Sequence, residues 1–178
     1  MTKKKRLFLG LFIGLSAIFV LLAAGFIGVY ASYRRPYREV VKESGLDANL
    51  VYAVMKAESG FQEDAKSRAG AVGLMQILPS TAQFVCKING LPFDIEKLID
   101  GEYNVKIGCL YLVYLLERFP VTETALCAYN AGEGTVSQWL ADSTYSTDGL
   151  TLNEIPYRET RAYVKKIMKF RKIYEFLY

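Results

Sequence analysis

The sequence predicts a mainly α protein, with one N-terminal transmembrane helix followed by a single domain of short helices around one core. Three observations predict it. Residues 7–33 carry no charge and are nearly all apolar. The rest of the chain shows apolar residues at helical spacing, punctuated by turn residues. No alternating strand pattern of convincing length appears, so the only sheet expected is a small hairpin between Phe61 and Val72.

The apolar run LFLGLFIGLSAIFVLLAAGFIGVY exceeds the ~20 helical residues that cross a hydrocarbon core. A secretory signal has an apolar stretch of only about 7–15 residues. Residues 7–30 are therefore read as a retained anchor behind a basic tail at residues 1–6. Cleavage at Val29-Tyr30-Ala31 is the alternative. Lys3, Lys4, Lys5 and Arg6 precede the run, and Arg34, Arg35, Arg38 and Lys42 follow it. The positive-inside count is a tie, and orientation falls to the function of the body.

The tail carries the whole formal net charge of +4, because residues 7–178 hold 18 basic and 18 acidic residues. A neutral body argues against a nucleic-acid partner, whose binding needs a basic surface. There is no histidine, which removes Ser-His-Asp and Cys-His catalysis and the usual zinc sites. Cys86, Cys109 and Cys127 are odd in number and widely spaced, so they form no metal motif. They are read as buried free thiols, with a Cys86–Cys109 bridge as the alternative. No metal or cofactor is expected.

Residues 31–36 read as a polar juxtamembrane linker, and residues 37–178 as the domain. In LDANLVYAVMKAESGF, Asp47 is a plausible N-cap, and Leu50, Val51, Val54 and Met55 recur at helical spacing until Gly60 ends the helix. Gly70 to Gly73 reads as a turn. Pro79-Ser80-Thr81 starts a second helix that Asn89-Gly90 closes. A longer helix follows in EYNVKIGCLYLVYLLERF, with Val105, Cys109, Leu112 and Leu116 as its stripe and Pro120 as its stop. TETALCAYN, capped by Thr122, and VSQWLAD are shorter helices, and residues 143–156 form a loop. Tyr163, Ile167, Phe170, Tyr174 and Leu177 line one face of a terminal helix. Its other face, with Lys165, Lys166, Lys169, Arg171 and Lys172, reads as solvated surface.

Glu58 continues the apolar face of Val54 and Met55. Burial beside apolar groups disfavours the carboxylate and raises its pKa, so such a glutamate can hold and donate a proton near neutrality, as glycosidic cleavage requires. A helix-end glutamate reaching water is the plainer reading. Gly70, Gly73, Gln76, Tyr129, Asn130 and Trp139 offer close backbone approach, amides and aromatic faces, the parts of a sugar groove. Each also has a purely structural reading.

The order AESGF, GAVGLMQILPSTA, ALCAYNAGEGTV, IPYRETRAYV strongly resembles the catalytic domain of soluble-type lytic transglycosylases. These bacterial enzymes have a goose-lysozyme-like fold and cut peptidoglycan, and the match runs from about Tyr37 to the C-terminus. The resemblance implies that Glu58 is the sole catalytic acid and then base. It assigns Ser59, Met75, Gln76, Tyr129, Asn130, Glu159 and Tyr163 to the substrate site, with Glu159 and Tyr163 closing it from the last helix. Cys127 stands where the family usually has alanine, which keeps the chemistry intact but opens the site to oxidation.

With one carboxylate, the implied reaction joins the muramic C6 hydroxyl to C1 and leaves a 1,6-anhydro sugar without consuming water. Hydrolytic and double-displacement glycosidases ordinarily use two carboxylates. The rivals are a muramidase in which Glu63 or Asp64 positions a water, and an inactive murein-binding scaffold. Peptidoglycan strands and, through the N-terminal helix, the lipid bilayer are the expected partners. Substrate access then puts the domain on the extracytoplasmic face and the N-terminus in the cytoplasm.

Overall fold

The computed structural model describes the backbone of residues 3–178 and the side chains of residues 4, 8 and 12–178. Much of the basic tail expected at residues 1–6, and the start of the anchor's side chains, lies outside the described residues. The chain divides after Arg34 into two units. The first is one helix, α1 (Lys3–Ser32), within which Phe12–Ser32 is long and apolar enough to cross a membrane.

The second unit is built from α2 (Arg38–Glu43), α3 (Ala48–Glu58), α4 (Pro79–Ile88), α5 (Gly101–Arg118), α6 (Thr122–Ala131), α7 (Glu133–Ala141) and α8 (Arg158–Leu177). A 3₁₀ turn at Glu96–Ile99 leads into α5. The longest packing seam joins α3 to α8, and α6 packs on α5, α7 and α8. Six consecutive residues of α3, Leu50 to Met55, are buried, so this helix is immersed on all sides. Thr124 to Ala128 of α6 are buried likewise. The end of α3 and the end of α6 therefore emerge from the core with little freedom to move.

Local chemistry sets the boundaries. The Asp47 carboxylate accepts from the Asn49 amide at 2.9 Å and starts α3. Pro79 occupies the first turn of α4, where a missing N–H costs nothing. Asp100 caps α5 by accepting from the Tyr103 amide at 2.8 Å.

Several expectations change. Ahead of Asp47, where no helix was expected, the domain opens with α2, whose Val41 is buried. The hairpin shrinks to two isolated antiparallel bridges, Lys66 with Val72 and Val72 with Ile77, because glycine turns interrupt the pairing. Val121, not Thr122, precedes the first turn of α6, and Thr122 makes no cap bond. α7 begins at Glu133, ahead of VSQWLAD. At the C-terminal end of the α5 stripe Leu115 is the buried leucine, and Leu116 is half-buried. All three cysteines are free and buried, which sets aside the Cys86–Cys109 bridge.

Candidate active site

Glu58 is the last residue of α3, and Ser59 and Gly60 turn the chain there. The side chain is half-buried. The Tyr163 hydroxyl on α8 donates to Glu58 Oε1 at 2.5 Å. Lys166, one turn further, donates to the Ala57 carbonyl at 2.8 Å, and so is more than a solvated lysine. Burial is the main cause that pushes the Glu58 carboxyl up to about 7, against its ordinary 4.5. The Tyr163 hydrogen bond and the Lys166 charge pull it back down; no second carboxylate is among the groups acting on it. A group poised near 7 can give a proton and later take one.

The loop between α3 and α4 forms the next wall. Ser59 is buried: its hydroxyl donates to the Leu74 carbonyl at 2.9 Å and accepts from the Phe61 amide at 3.1 Å. Met75 has no exposed surface, and its side chain lies against Gly108, where a Cβ would collide with it. Both residues therefore shape the site from behind instead of lining it with their side chains. Gln76 holds a left-handed backbone at φ 49°, a costly conformation for a residue with a Cβ. Its Nε2 donates to the carbonyls of Ala65 at 3.1 Å and Gly73 at 2.9 Å, which fixes the turn and leaves Oε1 unengaged among the described residues.

Asn104 holds this loop from α5. Fully buried, it accepts from the Met75 amide and donates to the carbonyls of Val72 and Leu98, each at 2.9 Å. Gly73 has φ +78°, and a Cβ there would strike the Asn104 amide. Asn104 was not anticipated; a polar residue beside Val105 on an otherwise apolar helix face was the available signal.

α6 supplies the opposite wall. The Tyr129 hydroxyl donates to the Met75 carbonyl at 2.8 Å, and burial together with the Glu58 charge keeps it protonated, well above the ordinary tyrosine range. Asn130 is exposed, and its Oδ1 accepts from the Thr160 hydroxyl at 2.7 Å. Thr160 is buried and anchors the start of α8. Glu159 is exposed and bonds no protein group among the described residues. The reason is angular: Thr160, Val164 and Ile167 define the buried face of α8, and Glu159 lies at its edge.

A run of rings leads away from Tyr129: Tyr111 at 5.2 Å between centroids, then Tyr114 at 6.4 Å, then Phe84 at 5.1 Å. Tyr111 and Phe84 line a groove with Ser80, Thr81 and Glu133. Their signal was the spacing of Tyr111 and Tyr114, three apart and off the apolar stripe. Trp139 serves the core instead, buried and edge-on to Tyr157 at 4.9 Å. Cys127 is also buried, and burial pushes its thiol up to about 12. With so little thiolate at neutral pH, the expected sensitivity to oxidation is withdrawn.

With this geometry established, the family model for the transglycosylase SLT domain matches residues 36–149. The chain belongs to the SLT transglycosylase family. It is 33% identical to the soluble lytic murein transglycosylase of Escherichia coli K12 over 149 residues, covering 82% of this chain and 23% of that protein. It is 30% identical to the membrane-bound lytic murein transglycosylase C of Haemophilus ducreyi, covering 77% of this chain and 44% of that one. Among solved structures, an inactive glutamate-to-glutamine mutant of lytic transglycosylase Slt from Pseudomonas aeruginosa superimposes with a TM-score of 0.68 at 34% identity, over 78% of this chain and 23% of that chain. This SLT chain thus spans about a quarter of the length of the soluble relatives it matches. Its domain is mainly α and lysozyme-like, as expected.

Proposed function

We propose that this SLT domain is a membrane-anchored peptidoglycan lytic transglycosylase that cuts the β-1,4 bond between N-acetylmuramic acid and N-acetylglucosamine. Glu58 carries the reading: a half-buried carboxyl poised at about 7, held by a tyrosine hydroxyl, with no carboxylate partner acting on it. The protonated Glu58 donates to the glycosidic oxygen as the C1–O4 bond breaks. The 2-acetamido carbonyl of the substrate stabilises the cationic C1. Ionised Glu58 then takes the proton of the C6 hydroxyl, O6 bonds to C1, and a 1,6-anhydro-muramic end leaves. Glu58 regains its proton and no water is consumed.

Gln76 Oε1, Tyr129, Asn130 and exposed Glu159 face the sugars in this reading, while Ser59 and Met75 contribute by holding the loop and the backbone of the wall. Glu63 is a poor candidate for positioning water, because its carboxylate is exposed and accepts from the Tyr37 hydroxyl at 2.6 Å. The names of the relatives, murein transglycosylases both soluble and membrane-bound, support the substrate. The apolar α1 supports an anchor, with the N-terminus cytoplasmic and the domain outside, where murein lies.

Digesting purified peptidoglycan and weighing the fragments tests the reaction. Products one water lighter than reducing muropeptides are expected. Reducing ends alone assign the domain to hydrolysis, and no fragments at all assign it to binding.

A further inference from the structure

The outward side of α8 has no task in the reaction, yet its composition is unusual for this chain. Over Arg158–Leu177 there are seven basic and two acidic residues, whereas residues 35–157 hold ten basic and sixteen acidic. The excess positive charge is thus confined to one helix of an otherwise acidic domain. Lys165, Lys169, Lys172 and Phe176 recur at intervals of four, three and four, which sets them on one stripe. All three lysines are exposed, none is in an ion pair among the described residues, and Phe176 is 80% exposed. The acids of α8 lie off this stripe: Glu175 pairs with Arg171 at 3.2 Å, and Glu159 lies at the edge of the buried face.

A second observation says what lies nearby. The Arg35 guanidinium, at the start of the domain, sits over the rings of Tyr52 at 5.3 Å and Tyr178 at 4.5 Å. The C-terminal end of α8 is therefore held at the point where the chain enters the domain. Arg35 follows Ser32, the end of the apolar span, by three residues, a reach of about 10 Å at full extension. If that span crosses a bilayer, Tyr178 and its neighbour Phe176 stay close to the headgroups, within reach of a surface field that decays over about 8 Å. Lys165 lies about 16 Å along the helix from Phe176, so a helix lying along the surface brings the whole stripe to it.

We propose that this stripe is a docking surface for anionic phospholipid headgroups, with Phe176 entering the interface and Lys165, Lys169 and Lys172 facing lipid phosphates. The inference rests on the anchored reading of α1. Its consequence is orientation. The buried face of α8, with Thr160 and Val164, lies opposite the stripe and Tyr163 flanks it, so docking leaves the Glu58 side of α8 uncovered and turned from the bilayer.

The full chain, reconstituted into vesicles of phosphatidylcholine alone or with phosphatidylglycerol, tests this by labelling with a soluble amine reagent and mass spectrometry. Labelling of Lys165, Lys169 and Lys172 should fall severalfold in the anionic vesicles and return at high salt, while exposed Lys87, Lys97 and Lys106 label equally in both. Because the native thiols are buried, a polarity-sensitive dye on Phe176→Cys should report a blue shift in the same vesicles. Lys165→Glu, Lys169→Glu and Lys172→Glu together should abolish that shift without changing cleavage of soluble glycan fragments. Flotation separates this idea from the anchor. A chain that floats with both vesicles but labels equally overturns docking and keeps the anchor. Flotation only with anionic vesicles keeps docking and overturns the anchor, and flotation with neither overturns both. Protection by glycerol phosphate in solution, equal to that by the anionic bilayer, would assign the stripe to soluble phosphate and overturn the lipid assignment.

Discussion

Tyr163 and Glu58 are 105 residues apart in the chain, and their side chains meet at 2.5 Å, the hydroxyl donating to the carboxylate oxygen. This bond lowers the carboxyl pKa against the larger effect of burial. Tyr163→Phe removes it and leaves the ring in place. Turnover should fall by the equivalent of about 1–3 kcal/mol in barrier. Because a restraint on the pKa is lost, the decline of activity on the alkaline side should move to higher pH. A pH–rate profile with an unmoved alkaline limb would show that Tyr163 does not act through Glu58.

Glu58→Gln should reduce cleavage by at least the ~10²–10⁴ typical of an acid–base group while leaving the fold intact. Glu63→Gln and Asp64→Asn should matter far less, and the reverse ranking favours the hydrolytic rival. Stability gives an independent readout. Between the ordinary 4.5 and about 7 the native state binds more protons at Glu58 than the unfolded chain, so this group's contribution declines as pH rises through that window. Unfolding titrations of Glu58→Gln should lack the decline, and should compare best with the unaltered chain above pH 7.

Thr160→Val keeps the shape of a buried residue but removes the donor to Asn130. Asn130 is exposed and water can replace the lost bond, so the cost should sit near the low end, about 0.5–1.5 kcal/mol, seen mainly in KM. Glu159→Gln should change activity less than Thr160→Val and keep the anhydro product. Steady-state kinetics with product masses decide the order; a switch to reducing sugar would give Glu159 a direct chemical role.

Asn104→Ala leaves the Met75 amide and the carbonyls of Val72 and Leu98 without their partner. Stranding such groups costs about 1–3 kcal/mol each before relaxation, so a loss of at least ~2 kcal/mol is expected in denaturant unfolding. Activity should fall as well, because Tyr129 is bonded to the Met75 carbonyl on the same loop. Stability within experimental error of the unaltered chain refutes the role given to Asn104.

Protease added to intact, wall-stripped cells should degrade the domain if it lies outside the membrane. Protection in intact cells with loss after lysis reverses the proposed orientation.

Helical spacing, caps and glycine turns were enough to read the mainly α class, most helices and the exceptional position of Glu58, because each depends on residues within a few turns of one another. The ordered motifs likewise marked Gln76, Tyr129, Asn130 and Tyr163. Sequence by itself also separated the neutral body from its basic tail. What it could not decide was which atoms meet across long stretches of chain. Thr160 faces inward while Glu159 stays exposed because α8 docks by one face, and a rotation of one residue moves a side chain from core to solvent. Ser59 and Met75 turned inward because the loop after α3 closes around Asn104, forty-five residues beyond Ser59. The pKa of Glu58 is tertiary for the same reason. Its identity is local, but the burial that raises it and the Tyr163 and Lys166 groups that temper it exist only once α8 lies against α3.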